Sequence, residues 1–269
     1  MNEPHVSRLT YRLLVDKGRE YRDPAPVDWG MPGVFRARLE NGFLGVELME
    51  HHATIESARE RIKPYLRAWE INAELRTAAR IQFEYESAEL VDLAPPPTGT
   101  GKLTDVKSTD HLLVGDNSAV VRLTVDVTVV SPDYPSPPSR FKASPLVETL
   151  WLHYDLYQQG RERLTDMGYV CYTAIKTDAN GEKQAALRFG VSRDVLSRLK
   201  TLCSEVGDHE SVRKITAKTQ FRPHTDQERV WIEHVIRVLI RRAGECAAEP
   251  GATRPEISLA SLPKLNRQL

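Results

Sequence analysis

The sequence predicts an α+β protein: an N-terminal, mostly antiparallel sheet with one long helix, followed by an all-helical C-terminal region. Three observations lead there. Residues 34–39 and 43–49 alternate apolar with polar around Asn41-Gly42, and that dipeptide suits a type I′ hairpin turn because both central residues must take φ > 0. Five prolines fall at positions 132, 135, 137, 138 and 145; proline removes backbone donors and favours extended chain, which marks a linker. Beyond them, apolar residues recur at helical spacing. The expected boundaries are 1–135 for the sheet-plus-helix domain, 146–247 for the helical domain and 248–269 for a disordered tail.

The N-terminal elements follow in order. Residues 6–15 (VSRLTYRLLV) read as a strand, rich in branched and aromatic side chains. Residues 23–33 hold three prolines and two glycines and read as a loop. A helix is expected from about Thr54 to Arg76, with Ser57 and Glu60 at capping-box spacing and Ala58, Ile62, Leu66, Trp69 and Ala73 on one stripe. Pro64 opposes it, since an interior proline costs about 3 kcal/mol; residues 58–63 then form a separate turn. Residues 81–93 return to a strand pattern, 94–118 to a loop, and 119–130 to a strand with Val125, Val127 and Val129 on one face.

After the linker, Leu146, Leu150, Tyr154 and Tyr157 predict one helix. Met167, Val170, Cys171, Ala174 and Ile175 predict another, with Thr165 as N-cap and Asp178-Ala-Asn-Gly181 as its stop. Residues 207–223 read as a polar, basic loop carrying Arg213, Lys214, Lys218 and Arg222. Thr225 and Glu228 open a last helix to about Ala243, burying Ile232, Val235, Ile236 and Leu239 and exposing Arg237, Arg241 and Arg242.

Between those helices lies KQAALRFGVSRDVLSRLKTL, residues 183–202. Ala185 and Ala186 are small enough for two helices to cross, Gly190 tolerates a left-handed turn, and Phe189, Val191, Leu196 and Leu199 sit where the helices face each other. Ser192 is a suitable N-cap. The stretch resembles the helix–turn–helix of bacterial DNA-binding proteins. The helix over residues 165–178 lies where the first helix of a three-helix module belongs. The resemblance implies a second helix in the major groove, with its outward N-terminal residues at base edges. Ser192, Arg193, Ser197 and Arg198 are then the nucleic-acid-binding residues, Asp194 lies beside them, and either arginine can pair bidentately with guanine.

Charge qualifies this reading. The chain has 37 basic and 37 acidic residues, so no whole-molecule field draws it to nucleic acid or membrane. The distribution is uneven: net −5 over residues 40–92 and +6 over 183–242. That asymmetry fits a basic binding face or two oppositely charged regions that dock. Cys171, Cys203 and Cys246 are too few and too scattered for a disulfide framework. The N-terminus MNEPHVSRLTYR lacks an apolar signal core, and no run approaches the ~18 apolar residues of a membrane span. A cytoplasmic protein without membrane partners is expected.

Other chemistries find little footing. Residues 97–103 (PTGTGKL) fail the phosphate-loop pattern, because Pro96 stands where a glycine is needed and Leu103 where the metal-binding hydroxyl belongs. Glu47, Glu50, His51, His52 and Glu56 cluster, but adjacent strand histidines point to opposite faces, so no metal and no cofactor is expected. Arg229-Val-Trp-Ile-Glu-His234 is similar in spacing to the Arg-x4-His of HEPN ribonucleases, an all-α family. There the Arg and His of two subunits form a metal-free RNA-cleaving site with His as acid or base. The sequence leans away from an enzyme. Nucleic-acid binding, to DNA or RNA, is the leading expectation, a non-catalytic scaffold with a protein partner the alternative, and a HEPN-like ribonuclease the third.

Overall fold

The computed structural model describes residues 4–16, 19–77, 80–92, 129–207 and 219–265. The expected loop at 94–118, the phosphate-loop-like run, Val125 and Val127, and the basic positions Arg213, Lys214 and Lys218 lie outside them. The architecture is α+β. The chain divides into two compact units, Met1–Arg59 with Glu84–Tyr134, and Glu60–Phe83 with Pro135–Leu269.

The first unit is built on a five-stranded antiparallel sheet in the order β3-β4-β5-β1-β6. Its strands are β1 (Pro4–Val15), β3 (Val27–Met31), β4 (Phe35–Glu40), β5 (Phe43–Leu48) and β6 (Ile81–Asp92, which starts in the second unit). Alternation sets the faces: Phe35, Ala37 and Leu39 are buried, while Arg36, Arg38 and Glu40 are exposed. On the exposed face Arg38 pairs with Asp28 and Glu40, and Arg12 with Glu86. The β4–β5 turn takes φ of 51° at Asn41 and 77° at Gly42, as a type I′ turn requires. A parallel pair, β2 (Arg19–Tyr21) with β7 (Val129–Ser131), forms a separate two-stranded ladder.

Two N-terminal expectations change. The proline- and glycine-rich run 23–33 contains strand β3, because its prolines flank the strand and Gly30 lies inside it. A Cβ at Gly30 would stand 2.9 Å from the Phe35 carbonyl oxygen, so glycine is what lets this edge strand approach β4. Helix α1 (Ile55–Thr77) runs unbroken through Pro64, with no separate first turn. Glu60 and Pro64 are both exposed, so the carbonyl left without a donor lies on the solvent side. Its start is capped by Thr54, whose Oγ1 accepts from the Ser57 N–H at 3.1 Å, rather than by Ser57.

The second unit gathers residues 60–77 of α1 with α2 (Pro145–Gln158), α3 (Leu164–Asp178), α4 (Glu182–Phe189), α5 (Arg193–Glu205) and α6 (Asp226–Ala248). Two short strands, β8 (Val206–Gly207) and β9 (Gln220–Phe221), pair in parallel. Pro145 opens α2 instead of closing the linker, with the Ser144 hydroxyl accepting from the Val147 N–H. Thr165 lies inside α3, one residue past its start, so Arg163 is the N-cap.

Trp151, Met167, Phe189, Leu196, Leu199, Trp231, Ile236 and Leu239 belong to one buried cluster. Two glycines permit its close packing. A methyl at Gly168 of α3 would overlap the Cys203 sulfur of α5 and crowd Ile232 of α6, and one at Gly244 would overlap the Phe141 ring.

Helix α6 starts with the expected capping box, Thr225 with Glu228. Glu228 also takes two bonds of 2.7 Å from Arg222. Arg242, expected on the surface, is buried: it pairs with Glu245 at 3.0 Å and donates to the Pro255 carbonyl at 2.7 Å. The composition of 248–269 predicts disorder, yet within residues 251–265 Arg254, Pro255, Ile257 and Leu262 contact the helical unit. Ile257 bridges to Val191, and Leu262 is buried in the core cluster. Arg242 of α6 donates to the segment, and Arg254 of the segment donates back to the carbonyls of Glu245 and Glu249.

Two outcomes follow from this packing. Gly168→Ala and Gly244→Ala should each cost about 1–3 kcal/mol, read as a lower denaturant midpoint with an unchanged slope. The Arg222 guanidinium holds the Glu228 carboxyl at about 2, against the upward push of burial. A depressed carboxyl contributes stability that is complete above its ordinary value of 4.5 and disappears as pH falls toward about 2. Glu228→Gln should therefore lower stability at neutral pH and flatten the acid limb of a stability-versus-pH curve across that window.

Candidate nucleic-acid interface

The α4–α5 pair is made by local chemistry. Gly181, with φ of 129°, leads into α4, and Gly190, with φ of 59°, ends it. A side chain at either position would be strained. The Gly190 and Val191 N–H groups both donate to the Ala186 carbonyl, which satisfies the free end of the helix. Ser192 turns the chain into α5, and its Oγ accepts from the Val195 N–H at 3.4 Å. Ala185, Phe189, Val191, Val195, Leu196, Leu199 and Leu202 are all buried. They fasten α4 and α5 to each other and to α3.

With those positions inward, the remaining ones point out. Arg193, Asp194, Ser197 and Arg198 are exposed. They form two adjacent rows on one helix face, 193 with 197 and 194 with 198. Arg193 and Arg198 make no ion pair or hydrogen bond among the described residues. By contrast, Arg188 on α4 is held by Asp178 at 2.8 Å. Ser192 stands apart from the other three: it is half-buried, its oxygen serves the cap, and its N–H donates to the Ile257 carbonyl at 2.8 Å. What its hydroxyl can still offer a phosphate is one proton.

Sequence reasoning missed two parts of this arrangement. It did not single out Gly168 of α3, where an added Cβ would overlap the Cys203 sulfur of α5. It also missed the C-terminal segment on the turn. Only the two β-branched positions, Val191 and Ile257, hint at the bridge between them.

The other candidates do not assemble into sites. Arg229 and His234 are exposed on α6, but five residues at 100° each turn them roughly 140° apart. They cannot converge within one chain. Desolvation, then the charges of Arg237 and Arg241, hold His234 below its ordinary value. His5 and His51 stack at 5.1 Å, while His52 is buried with its Nδ1 3.2 Å from the Ser57 hydroxyl. Among the described residues no group of three or more His, Cys, Asp or Glu side chains could hold a metal ion, and no helix is long and apolar enough to cross a membrane. The three cysteines are free and buried.

No family model, curated protein or solved structure matches the chain. Ser192→Ala removes the α5 cap and should cost about 0.5–2 kcal/mol. Thermal melts would show it, and Ser192→Asp should recover most of the loss.

Proposed function

We propose that the chain binds duplex DNA through the exposed face of α5. The observation that carries this reading is the pair Arg193 and Arg198, without ion-pair or hydrogen-bond partners among the described residues, on the outward side of a capped helix that follows a left-handed turn. A surface arginine that belongs to a structural ion pair has its fork filled. These two keep five N–H donors each, available to phosphate oxygens or to the O6 and N7 of guanine. The α5 N-terminus adds the positive end of a helix dipole, which favours an approaching phosphate. Ser197 lies between the two arginines along the helix and can meet either a base or a phosphate.

The competing reading, a scaffold whose oppositely charged regions dock, rests on the uneven charge of the sequence. The ribonuclease reading needs Arg229 of one copy to meet His234 of another. Neither gives Arg193 and Arg198 a role.

Selection of a preferred duplex from a random pool, followed by titration of Arg193→Ala, Arg198→Ala and the double variant, tests the proposal. Each arginine that reads a base should contribute about 1–3 kcal/mol to binding of the selected site, and one that meets phosphate should also flatten the salt dependence. The fold should be untouched, since both side chains are exposed. Equal affinity of the double variant and the parent protein would remove α5 as the binding face.

A further inference from the structure

The C-terminal segment does more than cover apolar surface. It begins at Arg254, whose guanidinium donates to the carbonyls of Ala252 at 2.8 Å, Glu245 at 2.7 Å and Glu249 at 2.8 Å. Glu245 lies in the last turn of α6 and Glu249 is its C-cap; the Glu245 carbonyl also accepts from the Glu249 N–H at 2.9 Å, so Arg254 adds a second donor there. One residue on, the Pro255 carbonyl accepts from Arg242. The segment then runs beside the α4–α5 turn. The Ile257 N–H donates to the Gly190 carbonyl at 2.8 Å, and the Ile257 carbonyl accepts from the Ser192 N–H at 2.8 Å. Past the bridge, Leu262 is only 6 % exposed and closes the segment into the core.

Those two bonds flank Val191 and end one residue before Arg193. Gly190 is the residue that turns the chain, and Ser192 is the one that caps α5. A single backbone position outside the helix pair therefore grips both ends of the turn. The caps and the core fix where α5 lies along its length.

We propose that Ile257 is a positioning residue for the α5 face: through its backbone, a C-terminal strap anchored by Arg254 and Arg242 sets the orientation of the Gly190 turn and of Arg193 beyond it. This rests on the reading of α5 as the DNA-binding helix. Base contacts need orientation, whereas phosphate contacts tolerate more error. Loosening the strap therefore erodes discrimination before it erodes general affinity.

The test uses the full chain and three variants. Ile257→Pro deletes the donor to Gly190, Arg254→Ala releases the anchor on α6, and Ile257→Val keeps both backbone bonds. Two readouts are taken: amide hydrogen exchange of Ser192 in the free protein, and the ratio of affinities for the selected duplex and for random duplex. In Ile257→Pro and Arg254→Ala, Ser192 exchange should rise about tenfold or more and the ratio should fall about three- to tenfold. Affinity for random duplex and its salt dependence should stay within about twofold, since phosphate contacts persist. Ile257→Val should match the parent in both readouts. A merely structural loss would weaken both duplexes together. Unchanged Ser192 exchange overturns the strap, and faster exchange with an unchanged ratio overturns the positioning role. A parent protein that binds no duplex defeats the DNA reading and the positioning role with it, while Ser192 exchange still reports on the strap.

Discussion

Gly168 sets how closely the helices of the second unit can approach. Its missing side chain is where the Cys203 sulfur of α5 sits, with Ile232 of α6 beside it. Three helices can meet there only because one of them has no Cβ at the crossing. Protein interiors pack at near-crystalline density, so an added methyl cannot be absorbed quietly. Phe141 over Gly244 repeats the device at the other end of α6. With α3, α5 and α6 drawn together, the apolar stripe of α5 (Val195, Leu196, Leu199, Leu202 and Cys203) is fully consumed by the core.

That burial gives α5 its outward chemistry. A helix with one stripe committed has its opposite positions decided as well, so Arg193, Asp194, Ser197 and Arg198 face solvent because their neighbours cannot. The turn before them is held three times over: by the left-handed Gly190, by the Ser192 cap, and by the Ile257 backbone. If α5 is the DNA-binding face proposed above, such redundancy means that the cost of ordering is met during folding and not during binding. On the proposed DNA reading, the Asp194 carboxylate beside the two arginines lowers their general attraction for phosphate.

Local chemistry made much of this legible in the sequence. Asn41-Gly42, Gly190, Ser192 and the Thr225–Glu228 box each state a backbone conformation through their own side chains or lack of them, and each stands where it was expected. Val195 to Leu202 repeat at helical spacing, so the inward and outward faces of α5 could be separated in advance. What stayed hidden depends on distant partners. The run with Pro24, Pro26, Gly30 and Pro32 reads as loop until β4 is available to pair with Val27–Met31. Arg242 reads as surface until the Pro255 carbonyl and Glu245 are brought to it. The tail reads as disorder because its composition is polar and proline-rich, and its contacts are long-range ones: Arg242 to the Pro255 carbonyl, Arg254 to the end of α6, and Ile257 to Gly190 and Ser192. Gly168 carried no signal at all, since a glycine in a helical pattern looks the same whether or not a sulfur sits above it.

The decisive quantity is whether α5 neutralises phosphate. Fluorescence anisotropy of the purified chain against labelled random duplex DNA, across a salt series, measures it directly. Binding should be evident at ~50 mM salt, and the logarithm of the affinity should fall linearly with the logarithm of salt concentration, as condensed counterions are released. Absence of binding at that low salt, where phosphate contacts are strongest, would contradict the reading and leave the α4–α5 pair as a structural element of the helical core.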